Sequence, residues 1–562
     1  MRAPFLATLA VAAVGAGLTA VPATQAMSAP STEFVVLYGA DADAARSAVQ
    51  QLGGTVVREN TAVGVATVRT SNSRFLRAAG RAAALDGVTR NRPIGRTTDV
   101  GPARGDGVER EGRAEGRPAH AGPINHAAGQ EGSDPLASLQ WDMQMLNATP
   151  TGSYAVQAGD RRVTVGILDT GVDGSHPDIA PNFDNARSRN FTTDIPLVDG
   201  ECADDPDGSC TDPANVDENG HGTHVASTIG SPINGIDMSG VAPNVTLVNI
   251  RSGQDSGYFF LQPSVDALTY AGDIGIDVVN MSYFIDPWLY NCPNDPTATP
   301  EEQLEQRTII AATNRALDYA HKRNVVLVGA GGNEHTDLGA PTKVDTISPD
   351  FPPGTERERT VDNSCLDMPT EGNHVLSIYA LGPSGRKADY SNFGLEQASV
   401  AEPGGWFRDG LGTPTFRTAG NEILAAYPLG VAQENGDIDE NGEPTSEFVV
   451  KSCDGDTCAY YQWIQGTSMA APHAVGVVAL IVSEYGTKDG KNKGGLTLNP
   501  VQSEKILFAT AAEHACPPGG VQSYVDVGRP PSFDATCEGT TEFNGFYGHG
   551  IVDALAAVTS RR

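Results

Sequence analysis

The sequence predicts an α/β protein: a parallel β-sheet covered by helices on both faces, preceded by a small α+β domain. Three observations point there. From residue 136 onward, short apolar runs alternate with longer amphipathic stretches, the pattern of parallel strands buried on both faces by crossover helices. Between residues 33 and 92 the strand and helix signals follow the order β-α-β-β-α-β. Residues 93–135 turn to Gly, Pro, Arg and Glu with almost no large apolar side chains, so they form no core and read as a flexible linker.

Taken in order, residues 1–26 have the features of a secretory signal peptide. Arg2 precedes an apolar, alanine-rich stretch over 5–21, and Ala23-Thr24-Gln25-Ala26 offers small residues for a cut after Ala26. Glycines and Pro22 interrupt that stretch and no basic stop signal follows, which argues against a membrane anchor. No other run reaches the roughly 18 to 20 apolar residues of a spanning helix. The small domain has strands expected at 33–38, 55–58, 63–69 and 87–90 and helices at 42–52 and 73–84, with breaks at Gly53-Gly54 and near Asn60. In the larger region, 136–562, strands are expected at 163–168, 246–250, 277–282 and 325–330, and helices at 263–272, 301–323 and 468–484.

Charge and cysteine placement limit the function classes. Residues 1–135 hold 14 Arg, no Lys and 12 Asp or Glu, a net of +2, so the remaining 427 residues carry −33 of the total −31. Such an acidic surface argues against nucleic-acid and anionic-membrane partners, which need a basic face. All eight cysteines lie beyond residue 200, which suits disulfides formed outside the cytoplasm. Neighbour spacing favours Cys202 with Cys210, Cys453 with Cys458 and Cys516 with Cys537, leaving Cys292 for Cys365, without settling the pairing. A zinc site is the competing reading, but no Cys-x-x-Cys pair accompanies these residues.

The chemistry gathers in four segments. The strand at 163–168 runs straight into Asp169-Thr170-Gly171, and Asn219-Gly220-His221-Gly222-Thr223-His224 reads as a loop that becomes a helix at His221. Val328-Gly329-Ala330-Gly331-Gly332-Asn333 ends a further strand, and Gly466-Thr467-Ser468-Met469-Ala470-Ala471-Pro472-His473 delivers a serine into the start of an apolar helix. Serine is a weak nucleophile at neutral pH and needs a base, and the base needs a group to orient it. His221 and Asp169 are the candidates.

In this order and these contexts, the segments closely resemble the subtilases, the subtilisin-like serine peptidases, over roughly residues 136–560. Val278-Val279-Asn280-Met281-Ser282 looks like that family's substrate strand, and residues 547–554 look like its closing helix. The resemblance implies a subtilisin-like sheet with Ser468 as nucleophile, His221 as general base and Asp169 holding the imidazole. Asn333 and the backbone N–H of Ser468 would serve the oxyanion. It also implies substrate contacts at Ser282, Tyr283, Phe284, Ala330, Gly331 and Gly332, polypeptide substrates, a monomer, and no cofactor for the chemistry. Residues 33–92, ferredoxin-like in element order, are similar to the subtilase prodomain, which implies a folding assistant and intramolecular inhibitor.

Rival readings start from the same residues. Asp169-Thr170-Gly171 with Asp255-Ser256-Gly257 imitates the paired signatures of aspartic peptidases. A secreted binding protein with a dead site and a processing peptidase devoted to one partner also compete with a secreted general endopeptidase. His224 reads as structural, since buried polar groups need partners.

Departures from the family pattern set further expectations. Tyr283 and Phe284 stand where the family usually has a glycine two positions after the serine, so an aromatic ring is expected to narrow or reroute the pocket. Acidic insertions at Asp194, Asp199, Glu201, Asp204, Asp205, Asp207 and Asp212, and again over 434–447, read as solvated loops whose charge could steer basic substrates. The resemblance implies structural calcium at Asp178 and Asn234, yet the glutamine that usually helps has no counterpart near Ala137. Residues 437–442 imitate the start of an EF-hand loop but place Phe448 at its twelfth position.

Overall fold

The computed structural model describes residues 31–92, 106–115, 134–203, 208–454, 457–490 and 494–561. The signal-peptide reading over 1–26 lies outside them. The main sheet has seven strands, in the order Ala398–Pro403, Val375–Leu381, Val326–Ala330, Val278–Met281, Thr164–Leu168, Thr246–Arg251 and Arg189–Asn190. Every neighbouring pair is parallel. The run of apolar residues in each strand has a direct cause, because alternate side chains feed separate cores. Val165, Val278, Val326 and Val328 pack with the helices His221–Gly230 and Thr467–Tyr485 on one face. Leu168, Val279, Met281 and Leu327 pack with Leu261–Ile274 and Pro300–His321 on the other.

Helix Thr467–Tyr485 is apolar all round because protein surrounds it. Its 19 residues satisfy the length and hydropathy of a spanning segment, contrary to the expectation that no such run exists, but burial inside the catalytic core explains the composition. Helix Pro300–His321 begins with a capping box, in which Thr299 and Glu302 satisfy each other's backbone N–H groups.

The N-terminal unit is a four-stranded antiparallel sheet ordered Gly54–Asn60, Val65–Thr70, Thr32–Tyr38, Leu85–Arg92, with helices Ala42–Gln51 and Phe75–Ala79 on one face. Its other face lies on the larger region. Val35, Leu37, Val63 and Val65 join the core formed by helices Leu261–Ile274 and Pro300–His321. Arg90 binds both carboxylate oxygens of Glu305 at 2.8 and 2.9 Å, and Arg58 pairs with Asp266 at 2.6 Å. The helix expected over 73–84 is shorter because the chain turns at Gly80, where a Cβ would fall 2.4 Å from Leu304 Cδ2.

Other expectations are corrected. The linker is not featureless, since Asp106–Glu109 and Glu111–Glu115 form helical turns docked on the larger region. The closing helix spans Ala554–Thr559, capped by Asp553, so the glycines of 547–553 form turns before it. A three-stranded antiparallel sheet, Ile423–Tyr427, Thr457–Ile464 and Val449–Asp454, leads into the serine turn. All four disulfides join the neighbours that spacing favoured, 202 with 210, 292 with 365, 453 with 458 and 516 with 537.

The central helix makes its closest approach at Gly476, where an added Cβ would stand 2.5 Å from Val241 Cβ. Gly476→Val in a Ser468→Ala background is expected to lose about 1–3 kcal/mol or more by overpacking. Denaturant unfolding of the two proteins side by side measures it.

Candidate active site

Asp169 closes the strand Thr164–Leu168, and His221 opens the helix His221–Gly230. His221 Nδ1 donates to Asp169 Oδ1 at 2.7 Å, since a carboxylate can only accept. The contact depends on a close approach at Gly222, where a Cβ would fall 2.1 Å from the carbonyl oxygen of Gly171. The buried Asp217 carboxylate ties the two segments together. Its Oδ1 accepts from the Thr170 hydroxyl and from Gly220 N, and its Oδ2 accepts from both the backbone and the hydroxyl of Thr223. Thr170 in turn accepts from Gly222 N at 3.1 Å.

Ser468 is the second residue of helix Thr467–Tyr485, at the positive end of its dipole. Asn333 follows the strand Val326–Ala330, and its side-chain oxygen accepts from both the backbone N–H and the hydroxyl of Thr467 at 2.9 Å. The acceptor end of the amide is thereby fixed and the Asn333 N–H2 group is left as a donor beside the serine turn. Gly332, with φ +93°, must be glycine in this conformation, and a Cβ there would strike Asn392 at 2.2 Å.

His221, Ser468 and Asn333 line one cleft of about 410 Å³ together with Ser282, Tyr283, Phe284, Ala330 and Gly332. The Ser282 hydroxyl donates to the carbonyl of Ser468 at 3.2 Å. Gly331 does not line the cleft but faces inward, where a Cβ would meet the Tyr379 ring at 2.3 Å. Tyr283 does not plug the pocket. Its ring lies flat on Phe259, with centroids 4.1 Å apart and planes 2° apart, and forms part of the wall.

A profile of the subtilase family matches residues 160–550. The chain belongs to the subtilase family. This is the family of subtilisin-like serine peptidases, and among the chain's relatives are the nisin leader peptide-processing serine protease NisP of Lactococcus lactis subsp. lactis and subtilisin DY of Bacillus licheniformis. NisP is 25% identical over 375 residues, 66% of this chain but only 46% of NisP, so the chain spans less than half of that relative. Subtilisin DY is 26% identical over 325 residues, 58% of this chain and 78% of that protein. The crystal structure of the epidermin leader peptide processing protease EpiP from Staphylococcus aureus covers 95% of this chain and 99% of its own, with a TM-score of 0.59 and 19% identity, a likeness of fold.

Several expectations for this subtilase change on inspection of their surroundings. Asp255 pairs with Arg251 at 2.6 Å rather than facing Asp169, which removes the arrangement an aspartic peptidase needs. The acidic insertion after Asp169 is not simply solvated, because Asp194 and Asp212 are buried around the same wholly buried Arg251 and Asp199 holds Ser256. Residues 204–207 lie outside the described structure. His224 is buried, shares a hydrogen bond with the carbonyl of Ile423 at 3.1 Å, and burial pushes its pKa down to about 3, so it stays neutral and structural.

Asp178 and Asn234 do meet. Asn234 turns its N–H2 group, not its oxygen, toward Asp178 Oδ1, while Asp178 Oδ2 accepts from Met238 N and the Tyr461 hydroxyl. Asp134, three residues before Ala137, closes the same loop through Gly235 N and Ser239 Oγ. With both Asp178 oxygens taken by protein donors, the set as arranged is a hydrogen-bonded closure and does not fit a calcium cage. Burial, with Asp237 nearby, pushes the Asp178 pKa up to about 8.

Sequence reasoning missed Glu109. It lies on the turn Asp106–Glu109, and its Oε1 stands 3.5 Å from His221 Nε2. The strap carrying it is held by its backbone, as Gln465 donates from its side chain to the carbonyl of Val108 and from its N–H to that of Glu109. Burial alone would depress the His221 pKa, but the Asp169 and Glu109 carboxylates outweigh it and hold the imidazole well above its ordinary value. A raised pKa means that this contribution to stability is fully present below an ordinary histidine's value of about 6.5 and is lost as pH rises through the folded value. Glu109→Gln is therefore expected to move the His221 titration to lower pH. Imidazole proton resonances in the Ser468→Ala chain measure it, and an unmoved titration refutes the contact.

Proposed function

We infer that the chain is a secreted serine endopeptidase made as an inhibited precursor. One observation carries the reading: the 2.7 Å bond between Asp169 and His221 stands at a cleft that Ser468 and Asn333 also line. In this mechanism Ser468 Oγ adds to the scissile carbonyl carbon and its proton passes to His221 Nε2. Asp169 fixes the tautomer and stabilises the imidazolium. The Asn333 N–H2 and the Ser468 backbone N–H hold the developing oxyanion. The imidazolium then protonates the leaving amine, the C–N bond breaks, and an acyl-serine remains. Water attacks that ester, giving one proton to His221 and from there back to Ser468, and the acid product leaves. The chemistry runs on the chain's own side chains, and no step passes through calcium.

The precursor form follows from the strap. Glu109 stands beside Nε2, the atom that must accept the serine proton, and with Asp169 it raises the imidazole pKa and so opposes that atom's action as a base, while residues 107–110 line the cleft. The docked four-stranded unit acts in the same sense, as an intramolecular inhibitor and folding aid. Four disulfides support an oxidising destination. A devoted processing role is the second reading, favoured by relatives whose names describe leader-peptide processing.

The test uses the full chain and its variants on denatured protein substrates. Ser468→Ala is expected to lose roughly six orders of magnitude in kcat and Asn333→Ala about two to three, while Glu109→Gln shortens the delay before activity. No Ser468-dependent turnover of any substrate would favour the inactive binding protein. Cut-site sequencing separates the two active readings, because scattered cuts indicate degradation and one tight motif indicates processing.

A further inference from the structure

The strap does more than cover His221. Three residues past Arg110, the last strap residue lining the cleft, the Arg113 side chain enters a second, acidic pocket. Its Nη1 meets Asp437 Oδ2 at 2.5 Å and its Nη2 donates to Gln462 Oε1 at 3.1 Å. Both members of the ion pair are well shielded, with side chains 15% and 12% exposed. Asp437 is held ready for this by the Tyr427 hydroxyl, which donates to the same oxygen at 2.7 Å.

A further buried acid, Glu422, feels the charge of the same guanidinium. It is wholly buried, and neither carboxylate oxygen has a hydrogen-bond partner. Burial pushes its pKa well above the ordinary value, Arg113 opposes this, and Glu111 and Glu447 reinforce it. One Glu447 oxygen is likewise buried without a partner. The strap's guanidinium is thus the cation paired with Asp437, and its departure leaves that shielded carboxylate without its partner, a costly state.

The neighbouring position is equally shaped. Gly112 lies on the paired rings of Phe448 and Phe407, where a Cβ would come within 2.4 and 2.8 Å of ring carbons. Gln462 and the adjoining Ile464 also line the cleft that holds Ser468, so this pocket continues the substrate path.

We propose that Asp437 and Gln462, with the Phe407 and Phe448 rings, form a substrate subsite for a small residue followed by arginine. Gly112-Arg113 fills it in the precursor, and incoming polypeptide fills it once the strap leaves. The subsite accepts its arginine four residues beyond the position that faces His221, the separation of Glu109 from Arg113. Arginine is preferred to lysine because two terminal nitrogens are engaged by two different acceptors. The proposal deepens the peptidase reading and rests on it for the step in which substrate replaces the strap.

Two measurements test it. First, the enzyme released when the full chain processes itself is given peptides carrying Gly-Arg, Gly-Lys, Gly-Ala, Gly-Glu or Leu-Arg at successive positions on either side of the cut. We expect at least a tenfold higher kcat/KM for Gly-Arg than Gly-Ala at a single register, little gain for Leu-Arg, and collapse of the Arg to Ala ratio to within twofold in Asp437→Asn. A uniform response at every register, or a ratio unchanged in Asp437→Asn, overturns the proposal. Second, hydrogen exchange of residues 106–115 is followed in the full-length Ser468→Ala chain. Arg113→Ala and Asp437→Asn should each speed exchange at least tenfold and the double variant no further, whereas additive effects or no effect deny the pocket its arginine. If no peptide is turned over, the peptidase reading has failed, and the exchange result alone decides whether the pocket binds a guanidinium.

Discussion

The bond between Asp169 and His221 exists only because two loops are pressed together to backbone contact. Gly222 has room for no side chain against Gly171, and the Asp217 carboxylate accepts five hydrogen bonds from the two segments and the turn between them. The strand that carries Asp169 is fixed between two parallel neighbours, and the helix that carries His221 packs on that sheet. The rigid sheet therefore sets a spacing that neither side chain could hold alone. The serine turn is positioned by the same means, with Thr467 bonded to Asn333 just beyond strand Val326–Ala330 of the same sheet.

Charge is managed as tightly as shape. A chain with a formal charge of −31 has to bury acids, and it does so around a few guanidinium groups. Arg251 gathers Asp212, Asp255 and Asp194. Arg359 pairs with Asp345 and Asp295, and Glu111 of the strap meets Arg408 and Arg529. Lys387, buried among Phe393, Tyr524 and Phe546, is pushed down to about 7 by the same desolvation, eased by Asp389. A guanidinium stays charged in such surroundings, where a buried lysine is pushed toward neutrality.

The parts legible in the sequence were those written locally. Apolar strand runs and the four glycine-rich turns around Asp169, His221, Asn333 and Ser468 carry their own signals, and the strands expected there differ by a residue or two at the ends, whereas Arg189–Asn190, Val375–Leu381 and Ala398–Pro403 of the main sheet and the three-stranded sheet were not anticipated. Residues 106–115 were illegible because Val108 is their only large apolar side chain. Their order comes from Glu109, Glu111 and Arg113 reaching partners some three to four hundred residues away, at 408, 437 and 465, with His221 nearer. The burial of Asp194 and Asp212 depends on Arg251 in the same way. The place of Tyr283 in the cleft wall was not legible because its stacking partner, Phe259, is distant in sequence. Asp134 escaped notice because a carboxylate reaches the loop from a different position than the glutamine expected near Ala137.

The two pieces of the N-terminal region grip the larger region independently. The four-stranded unit is anchored on helices Leu261–Ile274 and Pro300–His321 through Arg58 and Arg90, while the strap is anchored across the cleft through Glu111 and Arg113. A single break in 93–105 would sever the covalent link between the two grips. The interval between that break and a vacant cleft is then timed by the slower of two dissociations, so maturation would show a lag set by ion pairs and sensitive to salt.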